Sequence, residues 1–245
     1  MEYQVKVLVF RLRSEEGCAI DARKLHGLAC NLFEGNGGHR SQVKPFAVWP
    51  LSREAKDRDE TMTLRCTWLR DSALPFDPAA LSTVRLGARM CSVVGYECHE
   101  ESFDSLAKRP AVADAVLTFL SPVFFAANGR RSILPDPRLI LGGYRRRWNE
   151  ALPPDSPYWI EDELWMATHR ATELHSYDLR TVKRDGGHGH EVSGFVGMVR
   201  LRVLSDEVKE TFGRLVRFAS YCGTGARTTY GFGATTVTFL GGRDG

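Results

Sequence analysis

Residues 223–233 read GTGARTTYGFG, with four glycines, one arginine and three threonines in eleven positions. Glycine lets a backbone approach a partner closely, and Arg227 with the neighbouring threonines offers donors to an anion the size of a phosphate. The segment follows a predicted helix and precedes a predicted strand, which is the reverse of the order in dinucleotide-binding and P-loop motifs, and it contains no GK[ST] sequence. It therefore predicts contact with a phosphate backbone. A tight structural connection is the alternative interpretation of the glycines alone.

A second cationic segment lies between residues 130 and 149. Arginine side chains bind paired phosphate oxygens and the edge of guanine, although many such runs are only solvated surfaces. Six arginines here outnumber a single acid, Asp136: Arg130, Arg131, Arg138, Arg145, Arg146 and Arg147.

The formal net charge of +3, from 33 Lys and Arg against 30 Asp and Glu, hides these segments. Residues 150–178 carry seven acids and one arginine, whereas residues 214–233 carry three arginines and no acid. We interpret 150–178 as an acidic insertion with a solvated face. The small total is therefore a sum of opposite local charges, and it does not argue against a polyanionic partner.

The first half of the chain alternates apolar and polar residues at 3–9 and 62–68, a pattern typical of half-buried strands. Leu25, Leu28 and Leu32 recur at helical spacing after Asp21, a favourable N-cap residue. We also predict a short strand at 46–49, a second helix from about 75 to 84, and a strand near 91–96.

The second half repeats this order of elements. Strands are predicted at 113–119, 176–183, 199–203 and 234–239, with helices at 138–148 and 205–221 and a further helix at 159–173 in the acidic insertion. The order strand, helix, strand, strand, helix, strand is that of the split βαβ unit. We therefore predict an α+β protein of two tandem ferredoxin-like (RRM-like) domains, 1–108 and 109–245, each a four-stranded antiparallel sheet with two helices.

Three further motifs accompany the glycines Gly223, Gly225, Gly231 and Gly233, which fill the pattern GxGxxxxxGxG. They are GFVG at 194–197, FLSPVFF at 119–125 and KPFAV at 44–48. In these features the chain resembles the CRISPR-associated repeat-processing endoribonucleases of the RAMP superfamily, the Cas6 family. The motifs span residues 44 to 233, and the glycine pattern together with the SP segment is far more specific than either alone.

The resemblance implies metal-independent cleavage of precursor CRISPR RNA within its repeats, with no cofactor. Such a reaction is physically reasonable because RNA carries its own nucleophile, the 2′-hydroxyl beside each phosphate. An enzyme needs only to align that group, move protons and stabilise the phosphorane. The expected products end in a 2′,3′-cyclic phosphate and a 5′-hydroxyl.

Relatives place a general acid/base histidine in the loop after the first helix, and His39 occupies that loop here. Lys44 is a candidate for stabilising the phosphorane, with a surface lysine as the alternative. His26 is a candidate for a second proton-transfer or phosphate-contacting group, with a core-edge histidine as the alternative. Some relatives carry a tyrosine on this helix, and Cys30 occupies the position that we align with it.

For binding, the resemblance implies that the basic segment and the glycine segment contact the repeat RNA, as a stem-loop or a single strand. In relatives, the residues after the SP segment form a hairpin near the base of the stem. We expect recognition mainly by shape and backbone, because an A-form stem exposes little base information. The predicted contacts are Arg130, Arg131, Arg145, Arg146, Arg147, Gly223, Gly225, Arg227, Gly231 and Gly233.

Other functions are less well supported. A non-catalytic RNA-binding RAMP subunit of an effector complex is the alternative, and a metal-dependent nuclease is disfavoured because no carboxylate cluster lies outside the acidic insertion. His188 and His190 have no Cys beside them, and the six cysteines form no CxxC pair, so we predict no metal site and reduced thiols. No signal peptide or membrane span is apparent, and we expect a cytoplasmic protein without membrane contact. A CRISPR effector complex and a second copy of the chain are further expected partners.

Overall fold

The computed structural model of the chain describes residues 4–14, 21–34, 44–56, 59–70, 72–127, 129–187 and 190–240. Within these described residues, the first half contains six strands and two α-helices. In chain order they are β1 (Gln4–Ser14), α1 (Ala22–Phe33), β2 (Phe46–Val48), β3 (Ser52–Lys56), β4 (Asp59–Trp68), β5 (Thr83–Leu86), β6 (Arg89–Ser102) and α2 (Phe103–Lys108).

The first sheet has the order β2-β4-β1-β6-β5, and β3 also pairs with β4. The predicted helix α1 covers one face of this sheet, where Leu25, Leu28 and Phe33 pack against Phe10 and Leu64 of the central strands. The helix begins where predicted, since the carboxylate of Asp21 accepts a hydrogen bond from the Lys24 N–H over 2.8 Å.

The second helix predicted at 75–84 is wrong. Residues Pro78–Ala80 form only one 3₁₀ turn, in which the Asp77 carboxylate accepts from the Ala79 N–H. The chain then enters β5, where Val84 and Leu86 face the core and their neighbours face solvent. The two-residue alternation of these side chains outweighs the weak helical pattern of the preceding residues, so α1 is the one long helix on this sheet.

The second half forms a four-stranded sheet in which β10 (Thr172–Asp185), β11 (Glu191–Val203), β7 (Asp114–Val123) and β12 (Thr235–Phe239) lie side by side in that order. The predicted class of tandem ferredoxin-like folds is confirmed. In this half the predicted element order and four strands are confirmed as well, whereas the first sheet has six strands instead of the predicted four. The elements are β7 (Asp114–Val123), β8 (Phe125–Ala127), β9 (Arg130–Ser132), α3 (Pro137–Glu150), α4 (Asp162–Arg170), β10 (Thr172–Asp185), β11 (Glu191–Val203), α5 (Lys209–Cys222) and β12 (Thr235–Phe239).

Two details of the second half differ from the sequence prediction. Helix α4 is shorter than 159–173, because residues from Thr172 onward pair with β11. The strand predicted at 199–203 extends back to Glu191. Strands β8 and β9 pair as a hairpin directly after the SP segment, as the resemblance implied.

The larger core lies between the second sheet and its helices, and α2 belongs to it. Trp148 of α3 is fully buried, its ring centroid 4.8 Å from that of Phe103 and 5.3 Å from that of Phe218. The first sheet is therefore followed by a helix that packs on the second, and the predicted division at residues 108 and 109 stays a prediction. Among the described residues, no helix combines the length and apolar composition needed to cross a bilayer.

Replacing Trp148 with alanine is expected to lower the free energy of unfolding by about 3 to 5 kcal/mol, because a large cavity opens where α2, α3 and α5 meet. The indole also donates to the Tyr158 carbonyl over 2.8 Å, a bond that is lost as well. Urea denaturation measures the change. The control Met166→Ala, at a side chain 38% exposed, should change the unfolding energy by less than about 1 kcal/mol. Equal effects of the two changes would contradict this account of the core.

Candidate functional site

Residues 223–233, which we call the glycine loop, connect α5 to β12 and close on their own backbone. The Thr224 N–H donates to the Gly233 carbonyl over 2.8 Å, and Gly233 has a φ of +68°. A Cβ atom at Gly233 would overlap the carbonyl oxygen of Thr224. Because glycine alone satisfies both requirements, it fixes the point where the two arms of the loop cross.

The glycine loop is also bonded to the SP segment at the end of β7. The Ala226 N–H donates to the Phe124 carbonyl over 2.8 Å, and the Gly233 N–H donates to the Pro122 carbonyl over 3.0 Å. The Ser121 hydroxyl accepts from the Ala234 N–H over 2.9 Å. The two most specific motifs of the sequence therefore form one hydrogen-bonded unit.

These bonds give the glycines a structural function. The N–H groups of Gly223, Thr224, Ala226 and Gly233 all donate to carbonyls of the protein. A tight connection, the alternative that the sequence left open, therefore describes much of this loop. Contact of Gly223, Gly225, Gly231 and Gly233 with RNA stays a prediction.

Helix α1 of the first unit docks on the glycine loop. A Cβ at Gly231 would lie 2.7 Å from Leu25 Cδ2, so the side chain of α1 occupies the space that another residue would need. The Tyr230 ring stacks on His26 at a centroid separation of 3.7 Å and an interplanar angle of 11°. These contacts join the two halves of the protein at the motif itself.

The stack fixes the orientation of the His26 imidazole. Nδ1 lies 3.1 Å from the Thr229 carbonyl, which can only accept, so Nδ1 donates this hydrogen bond. Cys30 Sγ lies 3.4 Å from Nε2. Burial and then a hydrogen bond with Glu34 raise the pKa of the Cys30 thiol to about 12, so the thiol is protonated. His26 thus bridges α1 and the glycine loop, and its predicted role in catalysis stays a prediction.

Lys44 lies at the start of the strand segment after the first helix, as predicted, but it is not a free surface lysine. Its Nζ atom is 2.6 Å from Glu34 Oε1, and the two side chains are only 14% and 6% exposed. Glu34 is the C-cap residue of α1. The ion pair therefore joins the two ends of the segment 35–43. His39, the predicted general acid/base, belongs to that segment and lies outside the described residues.

Arg227 adopts the left-handed conformation, with a φ of 57°. Its Nη1 donates to the Gly186 carbonyl over 2.9 Å, and its guanidinium lies 5.5 Å from the Tyr230 ring centroid. Arg227 thus ties the glycine loop to the turn between β10 and β11. Its predicted contact with RNA is untested.

The three consecutive arginines of α3 have different environments. Arg145 donates to the Ile160 carbonyl over 3.0 Å and to Asp162 Oδ1 over 2.6 Å. Arg147 donates to the Cys222 carbonyl over 3.2 Å, and burial lowers the pKa of its guanidinium. Arg146 is 67% exposed and lies 3.9 Å from Glu150. The acidic segment thus supplies a partner to Arg145, and Arg146 is the member of the run that faces outward.

A groove of about 290 Å³ runs between α3, the β8–β9 hairpin and the glycine loop. Arg138 and Arg146 line it together with Ala126 and Gly225. Across the hairpin from Ala126 is Arg131, which is exposed like its neighbour Arg130. We call this groove, with Arg138 and Arg146 in its lining and Arg130 and Arg131 on the adjoining hairpin, the arginine groove. Two cationic side chains thus lie beside the glycine loop, and the hairpin adds two exposed ones, so a polyanion has room to bind.

Sequence reasoning missed three residues that hold the site together. Tyr230 lies within the glycine motif, so its aromatic character was a usable signal. Arg184 donates to the Gly231 carbonyl over 2.8 Å. Arg65 lies with its guanidinium 3.9 Å from the Trp49 ring centroid and donates to the Ser220 carbonyl over 3.3 Å. The two arginines contact residues far away in the chain, and no local pattern marks them.

Metal-ligand spacing is not found in the described part of the chain. No group of three or more His, Cys, Asp or Glu side chains lies close enough there to hold a metal ion. The described residues of the site offer instead one imidazole, one thiol, an ion pair and a set of arginines. This set suits binding of a phosphate backbone and proton transfer.

Comparison with known proteins identifies relatives with this architecture. The family model of the CRISPR-associated endoribonuclease Cas6 matches residues 117–235, which include the SP segment and the whole glycine loop. A search of curated proteins by sequence finds no match.

Solved structures similar to this chain cover nearly all of it. The product complex of Cas6 (TTHB231) is 28% identical with a TM-score of 0.80, and the match covers 97% of this chain and 100% of that one. The product complex of Cas6 (TTHA0078) is 26% identical with a TM-score of 0.77, at 97% and 100% coverage. Another structure of Thermus thermophilus Cas6 (TTHB231) is 29% identical with a TM-score of 0.70, at 96% and 98% coverage.

Replacing Gly233 with alanine is expected to destabilise the protein by about 2 to 4 kcal/mol, since the new methyl group meets the Thr224 carbonyl and the residue must keep a positive φ. Gly143→Ala is the matched control, because Gly143 lies within α3 and its Cβ would meet nothing within 4 Å. That control should be neutral or stabilising by up to about 1 kcal/mol. Chemical denaturation of both variants tests whether the crossing of the loop requires glycine.

Proposed function

Because this chain belongs to the Cas6 family of CRISPR-associated endoribonucleases, we propose that it cuts precursor CRISPR RNA within its repeats by general acid/base catalysis without a metal. The family makes the chain an endoribonuclease of CRISPR RNA processing. Two similar structures are described as product complexes, which supports binding of repeat RNA by this chain. The finer chemistry is argued from its own residues.

One observation carries the proposal: the helix that leads to His39 is docked on the loop that borders the arginine groove. The stack between His26 and Tyr230 and the contact of Leu25 with Gly231 make this connection. An RNA bound in the groove and proton-transfer groups on the segment after α1 are thereby held by the same loop. Cleavage at a defined phosphate requires such a fixed relation.

The reaction that we assign is transesterification by the RNA itself. The 2′-hydroxyl oxygen forms a bond to the adjacent phosphorus, and the bond from phosphorus to the 5′ oxygen breaks. His39 removes the 2′ proton or protonates the departing 5′ oxygen, a role that suits a group titrating near neutral pH. The ends formed are a 2′,3′-cyclic phosphate and a 5′-hydroxyl.

We assign Lys44 to the support of the His39 segment rather than to the phosphorane. Its charge is already balanced by Glu34 at 2.6 Å, and a neutral pair exerts little net attraction on a developing anion. His26 has a similar role in the proposal, because its two ring nitrogens contact Thr229 and Cys30. Both residues then position the catalytic histidine without touching the substrate.

For RNA binding we propose the arginine groove together with the glycine loop. Arginine side chains at the hairpin and on α3 can contact successive phosphates of a stem, and such contacts read the A-form shape more than the base sequence. Release of the product to an effector complex and formation of a homodimer remain predictions. The alternative function is an RAMP subunit that binds RNA and does not cut it.

Replacing His39 with alanine should reduce the single-turnover cleavage rate of labelled repeat RNA by at least about a hundredfold, since general acid/base catalysis contributes on that order. RNA affinity should change by less than threefold. The reaction is run in EDTA, where the unmodified protein is expected to cut at full rate. The 5′-hydroxyl end is identified by its phosphorylation with a polynucleotide kinase, and the 2′,3′-cyclic phosphate is identified by mass.

The control for that experiment is His99→Ala, at an exposed histidine on β6 that pairs with Glu97 at 3.6 Å. It should leave the cleavage rate unchanged. Binding without any cleavage by the unmodified protein would support the non-catalytic subunit. Cleavage unaffected by His39→Ala would remove that residue from the mechanism, and loss of cleavage in EDTA would indicate a metal-dependent reaction.

The difference between Arg146 and Arg145 gives a test of the binding surface. Arg146→Gln is expected to weaken repeat RNA binding about threefold to tenfold and to lower the slope of log affinity against log salt by about one, as for one lost phosphate contact. Arg145→Gln removes a cation that already pairs with Asp162, so the salt slope should hardly change. Filter binding across several salt concentrations measures both. Identical slopes for the two variants would show that the groove is not the RNA site.

A further inference from the structure

A second and larger groove, of about 950 Å³, lies at the opposite end of the second sheet. It is bordered by the starts of β7 and α5 and by the ends of β11 and β12. Strand β7 runs from Asp114 beside this groove to Val123 beside the glycine loop. Ten residues of strand span about 30 Å. The groove is therefore separate from the arginine groove and belongs to neither the hairpin nor the glycine loop.

The groove is lined by more cations than anions. Asp114 accepts hydrogen bonds from Arg200 over 2.5 Å and from Arg202 over 3.1 Å. Hydrogen bonds from Arg200 and then Arg202 hold the pKa of Asp114 below its usual range. One carboxylate cannot neutralise two guanidinium groups. Arg109 and Lys209 lie at the rim, where Glu101 and Asp206 pair with them at 2.8 Å and 2.5 Å. The excess positive charge of the groove therefore comes from the two arginines that share Asp114 and from Arg217.

Arg217 contributes a buried cation to the same groove. Its side chain projects from α5, is only 6% exposed, and donates through Nη2 to the Pro110 carbonyl. Within the described residues, its buried Nη1 has no hydrogen-bond partner. Burial and then the nearby Arg109 lower the pKa of this guanidinium. A buried charge without a counterion is costly, so an anion that enters the groove would offset that cost directly.

The rest of the wall is apolar. Leu204 is 66% exposed, and the Phe239 and Leu240 side chains are 39% and 36% exposed. The Arg217 guanidinium lies 5.2 Å from the Phe239 ring centroid. A ligand that fits this lining has an anionic group beside a flat apolar group. The groove is also within the size range of ordinary small-molecule sites, and much larger than a phosphate alone requires.

We infer that this groove binds a phosphorylated nucleotide, with its phosphate beside Arg217, Arg200 and Arg202 and its base against Phe239 and Leu240. Guanidinium and ammonium groups donate to phosphate oxygens, while every base offers a flat surface to an aromatic ring. The nucleotide is either free in solution or part of a single-stranded RNA segment. In both cases the chemistry of recognition is the same, and it does not depend on RNA cleavage.

Two probes distinguish the two sources: adenosine 5′-monophosphate, measured by calorimetry, and a ten-nucleotide oligoadenylate, measured by fluorescence anisotropy. The variant Arg202→Gln should bind the recognised probe at least about tenfold more weakly, with a salt slope for the oligonucleotide smaller by about one. Arg200 still donates two hydrogen bonds to Asp114 in this variant, so the variant is expected to fold. The control Arg11→Gln, at a 61% exposed arginine on the first sheet, should bind as the unmodified protein does.

Loss of both probes in Arg202→Gln, with binding retained in the control, identifies a general nucleotide site. Loss of the oligonucleotide alone identifies a subsite for a single strand. No binding of either probe, equal affinity in Arg202→Gln, or an equal loss in Arg11→Gln overturns the inference. Arg217→Met is a second variant that should lose binding without lowering the melting temperature, because a buried unpaired charge is replaced by an apolar chain of similar length. If that variant does not fold, Arg202→Gln decides.

Discussion

The structure depends on a single backbone crossing. Thr224 and Gly233 approach so closely that no side chain fits at position 233, and the hydrogen bond between them closes the glycine loop. Three other parts of the protein are held in place by contacts with this loop. The SP segment contacts it through three hydrogen bonds, helix α1 through the stack of His26 on Tyr230, and the β10–β11 turn through Arg227. The crossing is therefore required for the structure of the protein, whether or not the loop also binds RNA.

The distribution of charge follows from the same arrangement. Helix α3 packs on α5 and on the acidic segment, so Arg145 and Arg147 turn toward Asp162 and the Cys222 carbonyl. Arg146, one residue away from each, points outward because successive helical residues are about 100° apart. A run of three arginines thus contributes one exposed cation to the arginine groove. The number of arginines in this segment of the sequence therefore overestimates the number of exposed cations, whereas the small net charge of the whole chain underestimates it.

The fold could be predicted from the sequence to the extent that it is encoded locally. The spacing of Leu25, Leu28 and Leu32 and the cap at Asp21 were sufficient to predict α1, and the element order was sufficient for the tandem ferredoxin-like class. The predicted helix at 75–84 failed because the 3₁₀ turn at Pro78–Ala80 ends at once and Val84 and Leu86 are drawn into the first sheet. That outcome is decided by pairing with β6, which a local pattern does not contain.

The candidate site likewise contains parts that local sequence predicts and parts that it does not. The glycine pattern is visible in the sequence. Three other contacts join residues that only the folded chain brings together: Lys44 with Glu34, His26 with Tyr230, and Arg65 with Ser220. Such contacts matter for the proposed cleavage because a displacement of about 1 Å between a proton-transfer group and its phosphate costs on the order of a hundredfold in rate. The segment with His39 is attached at both ends, through Glu34 to α1 and through Lys44 to β2. Since α1 is held on the glycine loop, the proposed reaction requires that the two halves of the molecule share that loop rigidly.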